Sequence, residues 1–124
     1  MSNPTRILSL LDRIEDAIIL IDENTSYIKS PDNFLCSSDG MFALSGVCMQ
    51  LIFIGESVKV IDAKTGHNYL PHYTNIPWTD IMGLRDIIAH EYHHIDVEEI
   101  FKVIKYDLPT LLETVKQMKK DFAN

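Results

Sequence analysis

Residues 39–63 read DGMFALSGVCMQLIFIGESVKVIDA, and this stretch decides the fold class. Met41, Leu44, Val47, Leu51, Ile54, Val58 and Ile61 recur every three or four positions, the repeat of one face of an α-helix. Cys48, Ile52 and Phe53 widen the stripe until much of the helix surface is apolar. Such a helix is central to a bundle, or it faces both a core and a partner chain. Gly46 and Gly55 are read as places where neighbouring helices approach closely. The longest apolar run, Met41 to Ile54, is broken by Ser45, Gly46 and Gln50 and is shorter than the roughly 20 residues that span a bilayer.

Upstream, residues 5–28 carry Ile7, Leu11, Ile14, Ile18 and Ile21 at alternating spacings of four and three, a second amphipathic helix with Pro4 just inside its start. Ser30-Pro31-Asp32-Asn33 breaks the chain between the two. Downstream, Gly66, Pro71 and Pro77 mark 65–77 as a loop. A third, shorter helix is predicted from about Trp78 to Tyr92, with Trp78, Ile81, Met82, Ile88 and Ala89 as its apolar contacts. Asp96 reads as an N-cap with Glu99 three residues on, opening a last helix from Val97 to about Asp121. Pro109 lies inside that helix and is expected to kink it, because it removes a backbone hydrogen bond. Strand alternation is not sustained anywhere, and Val58-Lys59-Val60 fits the second helix. The expectation is one all-α domain over 1–124, a four-to-five-helix antiparallel bundle.

Composition narrows the function. A hydrophobic fraction of 46% in 124 residues suits one globular domain rather than a disordered chain. Two cysteines, Cys36 and Cys48, make no disulfide framework and point to a reducing, cytoplasmic setting. The N-terminal MSNPTRILSLLDRIEDA turns acidic within two helical turns and lacks a small-residue cleavage site, against a signal peptide. The net charge of −7 argues against a general nucleic-acid binder, so any RNA chemistry must come from a local positive site. The acidic remainder suits a basic protein partner. All five histidines fall between His67 and His94.

The chemistry concentrates in Gly83 to His94, GLRDIIAHEYHH. His90-Glu91-Tyr92-His93-His94 fits H-E-x-x-H, in which two histidines four apart bind zinc and the glutamate activates water. That reading needs a third ligand, and nothing around Glu113 resembles one. The glycine of the longer metalloprotease motif is replaced by Val97, and no sheet is available to bind a peptide.

A second pattern runs through more of the chain. Ile54-Gly55-Glu56, Ile76-Pro77-Trp78, Ile81-Met82-Gly83-Leu84-Arg85-Asp86, His90-Glu91-Tyr92, Asp96, and Asp107-Leu108-Pro109 with Leu111-Leu112 follow in one order. In these blocks the chain resembles the HepT-like HEPN domains, whose signature is Arg, four to six residues, His, any residue, Tyr. Here that is Arg85, His90 and Tyr92. The resemblance runs from about Ser9 to Met118 and is closest over 51–112. Asp86 stands where the family often has Asn, His93 where Phe is usual, and His94 where Gly is common.

The resemblance implies an all-α homodimer with a shared cleft and RNA cleavage without metal or other cofactor. It implies a toxin role beside an MNT-type minimal nucleotidyltransferase antitoxin, which silences the toxin by adenylylating the motif tyrosine, here Tyr92. It makes Arg85 and His90 the catalytic pair.

The spacing can be read independently. On a helix, residues seven apart share a face, so Arg85 and Tyr92 align. Five residues give about 140° of rotation, so His90 does not share the Arg85 face. Either the helix distorts near its end, or two copies complete the site across a dimer axis. In the second arrangement two His90 side chains divide the roles of base and acid. Paired Arg85 guanidiniums hold the phosphate, oriented by Asp86 or Glu56. Structural roles for the same residues are surface ion pairs for Arg85 and Asp86, a favourable helix end for His90, packing for Tyr92, and charge satisfaction for Glu56. The competing functional classes are a non-catalytic helical partner of a nucleotidyltransferase and a zinc peptidase.

Overall fold

A computed structural model of the chain describes residues 4–90 and 96–123, apart from the side chains of Ala89, His90 and Ala123. The predicted stripes form helices and face inward, except at Met41, which the start of the second helix leaves exposed. In α1 (Pro4–Thr25), Ile7, Leu11, Ile14, Ile18 and Ile21 are buried together with Leu10 and Ala17. The helix stops short of the predicted residue 28, where Thr25 Oγ1 donates to the carbonyl of Ile21 at 2.8 Å. The link that follows is tied down by its own side chains. Asn33 Oδ1 accepts the backbone N–H groups of Lys29 and Ser30 at 2.7 and 3.2 Å, fixing a 3-10 turn over Pro31–Phe34. Ile28 and Phe34 of this segment are fully buried.

α2 (Ser38–Lys64) starts on a capping serine: Ser37 Oγ accepts the N–H of Gly40 at 2.9 Å. It ends where Gly66 and His67 turn left-handed, at φ 65° and 62°, and the N–H of His67 reaches back to the carbonyl of Asp62 at 2.9 Å. Leu44, Val47, Cys48, Leu51, Ile54, Val58 and Ile61 are buried in the core. Burial pushes the Cys48 thiol up to about 11. By length and composition alone, α2 is a helix that can cross a membrane, longer than the broken run of the sequence reading. A buried core helix passes that same test, and these side chains pack against α1 and its neighbours.

The two predicted glycine contacts separate. Gly46 faces open space, with nothing within 4 Å of where a Cβ would stand. At Gly55 a Cβ would lie 2.7 Å from the carbonyl oxygen of Ile81, so this glycine is what permits close approach.

The predicted single helix over 78–92 is two: α3 (Trp78–Met82) and α4 (Leu84–His90). Gly83 is the joint. Its N–H reaches the carbonyls of Thr79 and Asp80 at 3.0 and 3.2 Å, and its own carbonyl accepts from Asp86 and Ile87 at 3.1 and 3.2 Å. The closing turn of one helix and the opening turn of the next thus meet on one residue with low helix propensity.

The last predicted helix is also interrupted. α5 (Val97–Lys102) is capped by Asp96, whose Oδ1 accepts the N–H groups of Glu98 and Glu99 at 3.1 and 3.2 Å. A π-helical turn over Val103–Asp107 precedes α6 (Leu108–Ala123), and the N–H of Leu108 bonds five residues back to Val103. Pro109 explains the wide turn: it donates no hydrogen bond, and its ring crowds the carbonyl one turn earlier.

α1 packs on both α2 and α6, while α3 and α4 lie on α2. Lys119 clips α6 to α1 through Asp12 and Glu15, at 2.5 and 2.7 Å. Among the described residues there is no strand.

Candidate active site

The joint at Gly83 and the missing side chain at Gly55 place the two charged residues singled out by the sequence. Because the backbone of Ile81 presses on Gly55, the α3–α4 elbow rests against α2 one residue before Glu56. Arg85, second in α4, then meets Glu56 across the seam: Nη1 donates to Oε1 at 2.7 Å. Lys59, one turn along α2, brings its ammonium to 3.8 Å from the other carboxylate oxygen. The three side chains are half-open to solvent, 58% exposed for Arg85 and 36% for Glu56. A pair this exposed contributes little to stability.

The hydrogen bond from Arg85 holds the Glu56 carboxyl below the usual glutamate range, against a smaller opposing effect of desolvation. In return Glu56 raises the already high pKa of Arg85, and the charge of Asp86 adds to this. Asp86 lies exposed in the first turn of α4. The structure therefore joins Arg85 to Glu56 and sets Asp86 beside them. One carboxylate contact uses only part of the guanidinium fork, which carries five N–H donors and suits a phosphate.

His90 is the last residue of α4, five residues and about 140° of helix rotation beyond Arg85. Its backbone places it at the far end of the same short helix. Tyr92, together with Glu91, His93, His94 and most of the H-E-x-x-H string, lies outside the described residues. Among the described residues no group of three or more His, Cys, Asp or Glu side chains is placed to hold a metal. His67 is engaged by Asp62, with Nδ1 at 2.6 Å from Oδ2, and His72 ends the 3-10 turn Leu70–His72.

Sequence reasoning missed Lys59. Its spacing of three from Glu56 on a predicted helix was a usable signal. It also missed the framework around Trp78, whose indole N–H donates to the carbonyl of Tyr73 at 2.9 Å. The Tyr73 hydroxyl in turn donates to Asp121 at 2.5 Å and is pushed up by burial and by that bond. Asn75 Nδ2 donates to the buried Thr114 at 3.0 Å. The loop leading into α3 is thus fastened to α6, a pairing between distant segments that periodicity does not reveal.

Comparison with known proteins gives a consistent result. The family model described as "Ribonuclease HepT-like" matches residues 14–118. The chain is 34% identical over 110 residues to the "Probable ribonuclease HepT" of Thermococcus cleftensis, covering 89% of this chain and 93% of that protein. It is 29% identical over 111 residues to the "Gamma-glutamylcyclotransferase and putative RNase" of Methanocaldococcus jannaschii, covering 90% of this chain but 46% of that longer protein. No solved structure gives a significant match. The family match spans both helices of the Arg85–Glu56 seam and extends over most of the bundle, and the chain belongs to the HepT-like ribonuclease family.

Proposed function

We propose that the chain is a metal-independent endoribonuclease, acting in the cytoplasm as the toxin of a toxin–antitoxin pair. The observation that carries this is Arg85: a half-exposed guanidinium, steadied by Glu56 on an otherwise acidic protein, forms a local phosphate clamp. Lys59 adds a second cation to the same spot. The names of the similar proteins point to RNA as the substrate.

In the proposed reaction one His90 removes the proton of a ribose 2′-hydroxyl. The oxygen attacks the adjoining phosphorus, and the bond to the 5′-oxygen breaks. The second His90, from a partner copy, protonates that leaving oxygen. The products are a 2′,3′-cyclic phosphate and a 5′-hydroxyl. Arg85 balances the charge that builds on the phosphorane oxygens, and Glu56 and Asp86 orient Arg85.

The outer face of α2 supports the dimer. Phe42 and Met49, 83% and 63% exposed, stand seven residues apart on a stripe that continues seven residues further to Glu56. A second copy seated there buries these apolar side chains and draws the two Arg85–Glu56 pairs toward the axis. Regulation is proposed to come from a minimal nucleotidyltransferase that transfers AMP from ATP to the Tyr92 hydroxyl, releasing pyrophosphate. The new phosphodiester competes for Arg85.

The test is cleavage of RNA by purified protein, with His90→Ala and Arg85→Ala as comparisons. Each substitution is expected to lower the rate at least a hundredfold while helix content is unchanged. Unaltered cleavage by either variant contradicts the assignment. RNA binding without any cleavage favours instead a helical partner that docks a nucleotidyltransferase.

A further inference from the structure

Beyond the elbow that carries Arg85, the end of α2, the loop over 67–77 and α3 line an open cleft of about 590 Å³. Asp62, His67, Tyr73, Trp78, Asp80 and Met82 line it. Two of its walls belong to the elements that carry the candidate active site. Asp62 stands on α2 six residues past Glu56, about 9 Å of helix rise and about 120° around the helix, and Met82 lies three residues before Arg85. The lining is of two kinds. Trp78 and Tyr73 supply aromatic surface, and the Trp78 indole is held in place by its bond to the Tyr73 carbonyl. Asp62 and Asp80 supply carboxylates, with His67 bonded to Asp62.

We propose that this cleft seats a nucleobase of the RNA strand whose phosphate lies at Arg85. The chemistry separates the parts of a nucleotide. Carboxylates at Asp62 and Asp80 repel a phosphate, which the cations Arg85 and Lys59 attract along α2. A neutral base has no such penalty: it stacks on an aromatic ring, and its exocyclic amine or ring N–H donates to a carboxylate. The Trp78 edge is already committed to Tyr73, so stacking on the ring is the interaction it offers. Stacking tolerates every base, and the carboxylates favour those with an exocyclic amine, cytosine, adenine and guanine, over uracil, whose single ring N–H is flanked by two carbonyl oxygens. The site rests on the proposed RNA path across Arg85.

The sequence contains a single tryptophan, so the emission of Trp78 reports on this cleft alone. The probe is a short 2′-O-methyl oligonucleotide, which cannot be cut for lack of a free 2′-hydroxyl. Titration of the whole chain is expected to quench Trp78 saturably, more strongly with oligocytidine or oligoadenosine than with oligouridine. In a parallel anisotropy measurement Trp78→Ala is expected to weaken binding roughly tenfold, with much of it retained in Trp78→Phe. Circular dichroism confirms that both variants remain helical. Binding that needs Arg85 but leaves Trp78 emission unchanged overturns the base site and leaves the ribonuclease proposal standing. A chain that does not bind the probe by anisotropy overturns both.

Discussion

At the scale of single residues, the Arg85–Glu56 contact separates position from charge. Glu56 draws on part of the guanidinium and fixes where it points, while also competing with the substrate for it. Glu56→Gln is therefore expected to bind a non-cleavable RNA more tightly and yet cleave RNA about tenfold or more slowly, because the clamp is less well aimed. Anisotropy and initial rates measure the two effects. Equal loss of binding and rate would instead make Glu56 a simple structural support. The same residue sets a pH dependence. Its carboxyl is held low by Arg85, so the contribution of the pair is complete above the ordinary glutamate range and fades as pH falls through the lowered value. The pair is exposed, so the difference in melting temperature between the protein and Glu56→Gln is expected to be small near neutrality and to shrink to nothing on acidification, with no change on the alkaline side of neutrality.

At the scale of elements, two glycines on one helix make opposite predictions. Gly46→Ala adds a methyl into open space and improves helix propensity, so the isolated chain is expected to gain up to about 1 kcal/mol. Gly55→Ala gains the same propensity but drives a methyl against the Ile81 carbonyl, with an expected net loss of about 1–2 kcal/mol. It also shifts α4, so RNA cleavage is expected to fall further than stability explains. Thermal unfolding and cleavage rates check both. The contrast shows what the sequence made legible. The stripes of Ile and Leu located α1 and α2 to within a few residues, because an inward face repeats with the helix. The break at Gly83 stayed hidden, because a short interruption leaves the apolar spacing almost intact, while the kink expected from Pro109 takes the form of a π turn just before it. The same holds for the site. Arg85 and Glu56 were named from the motif and its flanking block, but only packing at Gly55 brings them together. Lys59 was readable from its spacing of three to Glu56, whereas the Tyr73–Asp121 fastening behind Trp78 depends on contacts between distant segments that no local pattern encodes.

At the scale of the whole molecule, the proposed two-fold assembly rests on the apolar outer face of α2 and on the helical offset of five residues between Arg85 and His90. Light scattering at micromolar concentration is expected to give twice the 14.2 kDa chain mass. Met49→Glu, in the middle of that face, is expected to yield a folded monomer with little activity; an active monomer contradicts the composite site. Dimer or not, the central claim is that this acidic helical bundle cuts RNA through the neighbouring 2′-hydroxyl, without metal. The most direct measurement uses a DNA oligonucleotide carrying one ribonucleotide, incubated with the protein in excess chelator. The account predicts a single cut, 3′ to that ribonucleotide, leaving a cyclic phosphate. Cleavage at deoxynucleotides, or products with a 3′-hydroxyl, would contradict it.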